Sequence, residues 1–133
     1  MSAEVAYLDT SAVVKLLVRE RESPALRRAL RRWPRQASSG LLRVELLRVV
    51  RRAGLPRLAA AARQQLAAIH LVRLDDSLLD RAAELEPASL RSLDAIHLAT
   101  ALALGPDLAT VVTYDERMIA GAAAIGLPTS SPR

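Results

Sequence analysis

The chain has 133 residues, a formal net charge of +5, no cysteine and 51% apolar residues. That length suits one domain, residues 1–133, able to bury a core without covalent staples, and the apolar content argues against disorder. The missing cysteines exclude disulfides, thiolate zinc sites and cysteine nucleophiles.

Residues 5–8 read as a short buried strand ending in Asp9, with Thr10 and Ser11 able to cap a helix over 12–18. A second helix is predicted over 23–33, stopped by Pro34. Residues 36–39 form a candidate strand, and Ser39-Gly40 opens a helix through Arg52 that Gly54 closes. Pro56 suits the first turn of another helix, in which Leu58, Ala62, Leu66 and Ile69 keep helical spacing. Residues 70–74 read as strand, and Asp75 or Asp76 caps a helix to about Leu85. After a loop, 93–104 is a strongly apolar helix ended by Gly105-Pro106. A β-branched strand over 109–113 precedes a helix over 116–124, and Gly126-Leu127-Pro128 offers a short edge strand. Alternating strands and helices imply a three-layer α/β/α sandwich around a parallel sheet of four to five strands.

Four acids sit where such a fold can gather them: Asp9, Glu45, Asp94 and Asp115. Open parallel sheets bind ligands outside the carboxyl ends of their strands, near a topological switch point. Asp9 and Asp115 follow strands directly, Asp94 lies in the first turn of its helix, and Glu45 is one to two turns into another. Asp107 precedes its strand and belongs at the opposite edge, whereas Asp75 and Asp76 pass this filter. Two carboxylates about 4 Å apart at an effective dielectric near 20 repel by about 4 kcal/mol, so a cluster calls for a cation among them. Taken singly, each acid has another explanation: Asp9 and Asp115 are good caps, Asp94 complements a helix dipole, and Glu45 shares a face with Arg48 and Arg52.

The segments YLDTSAVVKLL, SSGLLRVELLR, LRSLDAIHLATAL and VVTYDERM resemble the PIN-domain ribonucleases, in particular the VapC toxins of bacterial toxin–antitoxin pairs. The blocks occur in the family's order and span nearly the whole chain. The resemblance implies a sheet ordered 3-2-1-4-5, RNA as substrate, and Mg²⁺ or Mn²⁺ held by a catalytic set of Asp9, Glu45, Asp94 and Asp115. It implies supporting roles for the Ser11 and Thr113 hydroxyls, a VapB-like antitoxin as partner, and a homodimer. The apolar helices between Leu41 and Ile69 offer surface for that dimer or simply serve the core.

Eighteen of the nineteen basic residues are Arg, the exception being Lys15. Arg binds phosphate bidentately, which suits a nucleic-acid ligand, although high-GC coding produces the same bias. Arg27, Arg28, Arg31, Arg32 and Arg35 form a candidate basic stripe. Arg27, Arg31, Arg48 and Arg52 are the arginines chosen as RNA contacts. His97, three residues after Asp94, can bond to it but reads as a partly buried structural histidine, as does His70. The rival readings are a phosphatase of the haloacid-dehalogenase type, which wants an Asp where Ser11 stands, a ribonuclease using His70 and His97, and a non-catalytic Arg-rich RNA-binding module. The first residues lack a basic segment, and no stretch reaches the roughly 18 apolar residues of a membrane helix, so a cytoplasmic protein without membrane contact is expected.

Overall fold

A computed structural model describes residues 3–133. Five strands make one parallel sheet: β1 (Val5–Leu8), β2 (Arg35–Ser39), β3 (His70–Val72), β4 (Leu108–Val112) and β5 (Thr129–Ser130). Their order is β3-β2-β1-β4-β5, and every pairing is parallel. The order reverses at β1, which pairs with β2 on one side and β4 on the other, so the switch point lies at the carboxyl end of β1.

Seven helices cover the sheet: α1 (Thr10–Leu17), α2 (Ser23–Leu30), α3 (Leu42–Arg52), α4 (Ala59–Ala68), α5 (Asp76–Ala83), α6 (Ser92–Ala103) and α7 (Glu116–Ala124). Strand side chains alternate between faces. Ala6 and Leu8 pack with Ala12, Val13, Leu26, Leu42, Leu46 and Leu66 of α1 to α4. Tyr7 points the other way, into a cluster with Ala101 and Val111, beside the α6–α7 contacts of Leu98, Met118 and Ala122. All four residues of β1 are buried, as expected of a central parallel strand.

The elements fall close to their sequence positions, with instructive differences. The cap of α1 is Asp9 itself, whose side chain accepts from the Ala12 backbone N–H; Thr10 is the first residue of the helix. Asp75, not Asp76, caps α5. Helix α2 stops at Leu30, short of Trp33, and Arg35 opens β2 in register with Val5. The basic stripe therefore breaks up, because Arg35 stands at the amino edge of the sheet, away from Asp9. The last strand forms at Thr129–Ser130, after Pro128. Gly54 (φ 66°) and Gly105 (φ 57°) take left-handed conformations just past α3 and α6, which a side chain would disfavour.

Helices α3 and α4 answer the question left open for their apolar residues. Leu42, Leu46, Val50, Ala62 and Leu66 are core, while Val44 is 59% exposed. Val44, Leu47, Arg48 and Arg63 contribute to a cavity of about 750 Å³ between these helices, and none of the four candidate acids lines it. Among the described residues no helix is long and apolar enough to cross a membrane. Leu46 is fully buried in the cluster that anchors α3. Leu46→Ala is expected to cost about 2–5 kcal/mol of unfolding free energy, read as a lower urea midpoint.

Candidate active site

Asp9 leaves the carboxyl end of β1 only 3% exposed. Its Oδ1 accepts from the Ser11 hydroxyl (2.6 Å) and the Ala12 N–H (3.1 Å), and its Oδ2 from the Thr113 hydroxyl (2.5 Å). Both hydroxyls are held in turn: Ser11 Oγ accepts from the Tyr114 N–H (2.9 Å) and Thr113 Oγ1 from the Asp115 N–H (3.1 Å). Burial pushes the Asp9 carboxyl above its usual range, and the hydrogen bonds from Ser11 and Thr113 only partly counter it.

Glu45 reaches back from α3, half-buried. Its Oε1 accepts from the Thr10 hydroxyl (2.6 Å) and bonds His97 Nε2 (2.7 Å). Burial works to raise its carboxyl, but hydrogen bonds from His97 and Thr10 outweigh that and leave it below the usual range. His97 does not bond Asp94 as the sequence suggested; its other ring nitrogen, Nδ1, faces the buried Tyr7 hydroxyl at 2.6 Å.

Asp94 lies in the first turn of α6, and Asp115 caps α7 by accepting from the Arg117 N–H (2.9 Å). Burial, then the negative charge of Asp115, raises the Asp94 carboxyl; the charges of His97, Arg117 and Arg91 oppose the rise. Separate links hold the acids. Thr113 joins Asp9 to the Asp115 backbone, Thr10 and His97 join Glu45 to α1 and α6, and Asp94 and Asp115 repel across the gap between α6 and α7.

The electrostatics are unusual for a basic chain. Among the described residues the only ion pairs within 4 Å are Lys15 with Glu20 and Glu22, and His97 with Glu45. Asp9, Asp94 and Asp115 therefore have no Lys or Arg partner. As the side chains stand, no three of the described His, Asp and Glu residues are close enough to enclose a metal ion together.

The arginines chosen from sequence are not gathered here. The Arg27 guanidinium donates to the Leu16 carbonyl (2.9 Å), Arg31 sits past the end of α2, Arg48 lines the α3–α4 cavity, and Arg52 is exposed at the end of α3. Arg91 and Arg117, which sequence reasoning passed over, are the arginines whose charge reaches Asp94. The available signal was proximity along the chain, since each stands within three residues of a candidate acid. Thr10 and Tyr7 were also missed. His70 lies on edge strand β3, two strands from β1, so no histidine pair forms.

This sheet order, with a buried acid at the switch point beside β1, is that of a PIN domain. The chain belongs to the PIN-domain family, which matches residues 6–124, and its similar relatives are VapC proteins. It is 48% identical to ribonuclease VapC46 of Mycobacterium tuberculosis over 126 residues, covering 95% of this chain and 96% of that protein. Identity to ribonuclease VapC47 of the same species is 43% over 130 residues, with 95% and 96% covered. The fold also matches a toxin–antitoxin complex from Klebsiella pneumoniae (TM-score 0.72, 24% identity, 96% of this chain and 98% of that one). It matches Mycobacterium tuberculosis VapC20, described as a sarcin–ricin loop cleaving toxin (TM-score 0.74, 18% identity, 96% and 99% covered).

A raised Asp94 means that its ionisation weakens the fold. Stability is lost as pH rises through its titration, and is regained below the ordinary aspartate value of 3.8. Asp94→Asn is therefore expected to melt higher than the parent protein in EDTA at pH 7–8, with the difference closing as pH falls toward that value. A variant no more stable at any pH would show that the repulsion is not felt.

Proposed function

We propose that this protein is a divalent-metal-dependent endoribonuclease, the toxin of a VapC-type toxin–antitoxin pair, acting as a single PIN domain in the cytoplasm. The observation that supports the reading is that Asp9 is buried at the carboxyl end of β1, and Asp94 feels the negative charge of Asp115, with no Arg or Lys paired to any of the three among the described residues, in a chain with nineteen basic side chains. A module that merely bound RNA would gain stability by neutralising them. Relatives named as ribonucleases at 48% and 43% identity support RNA as the substrate class.

The donor set fits the cation. It is entirely oxygen, with no sulfur and no histidine pair, which favours Mg²⁺ or Mn²⁺ over zinc. Asp9, Asp94 and Asp115 would hold the ion directly or through water, with Glu45 joining them or positioning the nucleophile. When bound, the cation supplies a water of lowered pKa and offsets charge developing on the leaving oxygen. The protein's own groups supply the rest. Ser11 and Thr113 hold Asp9 in place, and Thr10 and His97 keep Glu45 ionised, ready to accept a proton. Arg91 and Arg117, both exposed beside Asp94, are placed to take RNA phosphates.

The partner proposed is a small VapB-like antitoxin that covers the acidic pocket, consistent with the toxin–antitoxin complex among the similar folds. A homodimer belongs to the same reading, and exposed apolar side chains such as Val44 offer it surface.

Asp9→Asn is expected to lower RNA cleavage at least about 100-fold while the protein stays folded, and EDTA is expected to stop the parent enzyme. Products should carry 5′-phosphate and 3′-hydroxyl ends; cyclic phosphates, or full activity in EDTA, would sink the proposal. Arg91→Ala and Arg117→Ala should each weaken RNA binding and lower the slope of log affinity against log salt by about 1. Unchanged slopes would move the phosphate contacts elsewhere.

A further inference from the structure

A tyrosine on the most buried strand of the sheet is costly unless its hydroxyl finds a partner, and a buried histidine is costly in the same way. Tyr7 is 0% exposed and His97 is 3% exposed. Their rings meet edge to face, with centroids 5.8 Å apart. A Phe–Leu pair would fill this space without desolvating polar atoms, so packing does not explain the choice. The polar atoms instead form a chain that ends outside the core, from Tyr7 Oη to His97 Nδ1 (2.6 Å) and from His97 Nε2 to Glu45 Oε1 (2.7 Å).

The direction of the chain follows from its ends. A carboxylate only accepts, so His97 Nε2 is the donor at the Glu45 end. Burial pushes the Tyr7 phenol far above its ordinary value, so it keeps its proton where its hydroxyl faces Nδ1. Fixing one ring nitrogen fixes the tautomer and orientation of the other. Thr10 donates to the same carboxylate oxygen, so Oε1 is engaged twice, while no hydrogen bond among the described residues reaches Oε2.

We propose that Tyr7 and His97 are a positioning pair that locks Glu45 through Oε1 and leaves Oε2 as the oxygen that addresses the divalent cation. The inference rests on the metal-dependent reading of the site. His97 touches neither substrate nor metal in this role. It acts through Glu45, in the manner of outer groups that orient metal-binding carboxylates and whose loss typically costs about 10–100-fold in metal affinity.

The test uses the full chain with Mn²⁺ as probe, comparing His97→Leu, His97→Gln and Tyr7→Phe with the parent protein. Mn²⁺ affinity is read by titration calorimetry, RNA cleavage against Mn²⁺ concentration, and metal-free stability by urea. His97→Leu is expected to bind Mn²⁺ at least about 10-fold more weakly and to need correspondingly more for half-maximal cleavage. His97→Gln, which keeps an N–H donor, should recover most of the loss. A purely space-filling histidine would make Leu and Gln equivalent, which would overturn the proposal. Tyr7→Phe keeps the ring and carries the test should His97→Leu fail to fold. A folded Tyr7→Phe with parental Mn²⁺ affinity would also overturn it. A parent protein that binds no Mn²⁺ defeats the reading of the site itself, whereas parental binding equal to that of the variants defeats only the positioning role.

Discussion

A carboxylate buried without a counter-ion sets the terms for the rest of this molecule. Burial opposes ionisation at Asp9, and burial followed by repulsion from Asp115 opposes it at Asp94. Domains are stable by only about 5–15 kcal/mol, so such a site exists only where a large apolar core outweighs it. Here the core packs both faces of β1, the strand that presents Asp9. Ionised Asp9 and Asp94 are destabilising in isolation, and under the proposed metal-dependent function a cation would offset that cost, so stability and activity are expected to move in opposite directions at Asp94.

The way the carboxylates are restrained follows from the same constraint. A guanidinium or ammonium would hold them firmly but would cancel the charge that attracts a metal ion. Hydroxyls hold geometry without cancelling charge. Ser11 and Thr113 serve Asp9 in this manner, and Thr10 serves Glu45. His97 completes the pattern from inside the fold, and Tyr7 transmits the rigidity of the central strand to a side chain on α3. Among the described residues no buried side-chain nitrogen or oxygen lacks a partner, so this polar network is closed as well as dense.

Charge is distributed by distance from that network. Seven of the eighteen arginines lie on α2, α3 and α4, whereas Arg91 and Arg117 are those whose charge reaches Asp94. Acids set in a basic protein suit a polyanionic substrate met first by long-range attraction.

Alternation of strands and helices, the strand-end positions of Asp9 and Asp115, and the apolar faces of α3 and α6 were all legible in the sequence, because periodicity, capping and chain breaking act over a few residues. The sheet order was not; it came from the resemblance of four short segments. Tertiary structure alone decided that α2 ends before the last of its arginines, and that His97 turns to Glu45 rather than Asp94. It also brought Thr113 to Asp9 across 104 positions and Tyr7 to His97 across 90. Such pairings depend on strand register and on which face of the sheet each side chain takes. Nothing local encodes them, because the groups that meet share no neighbours along the chain.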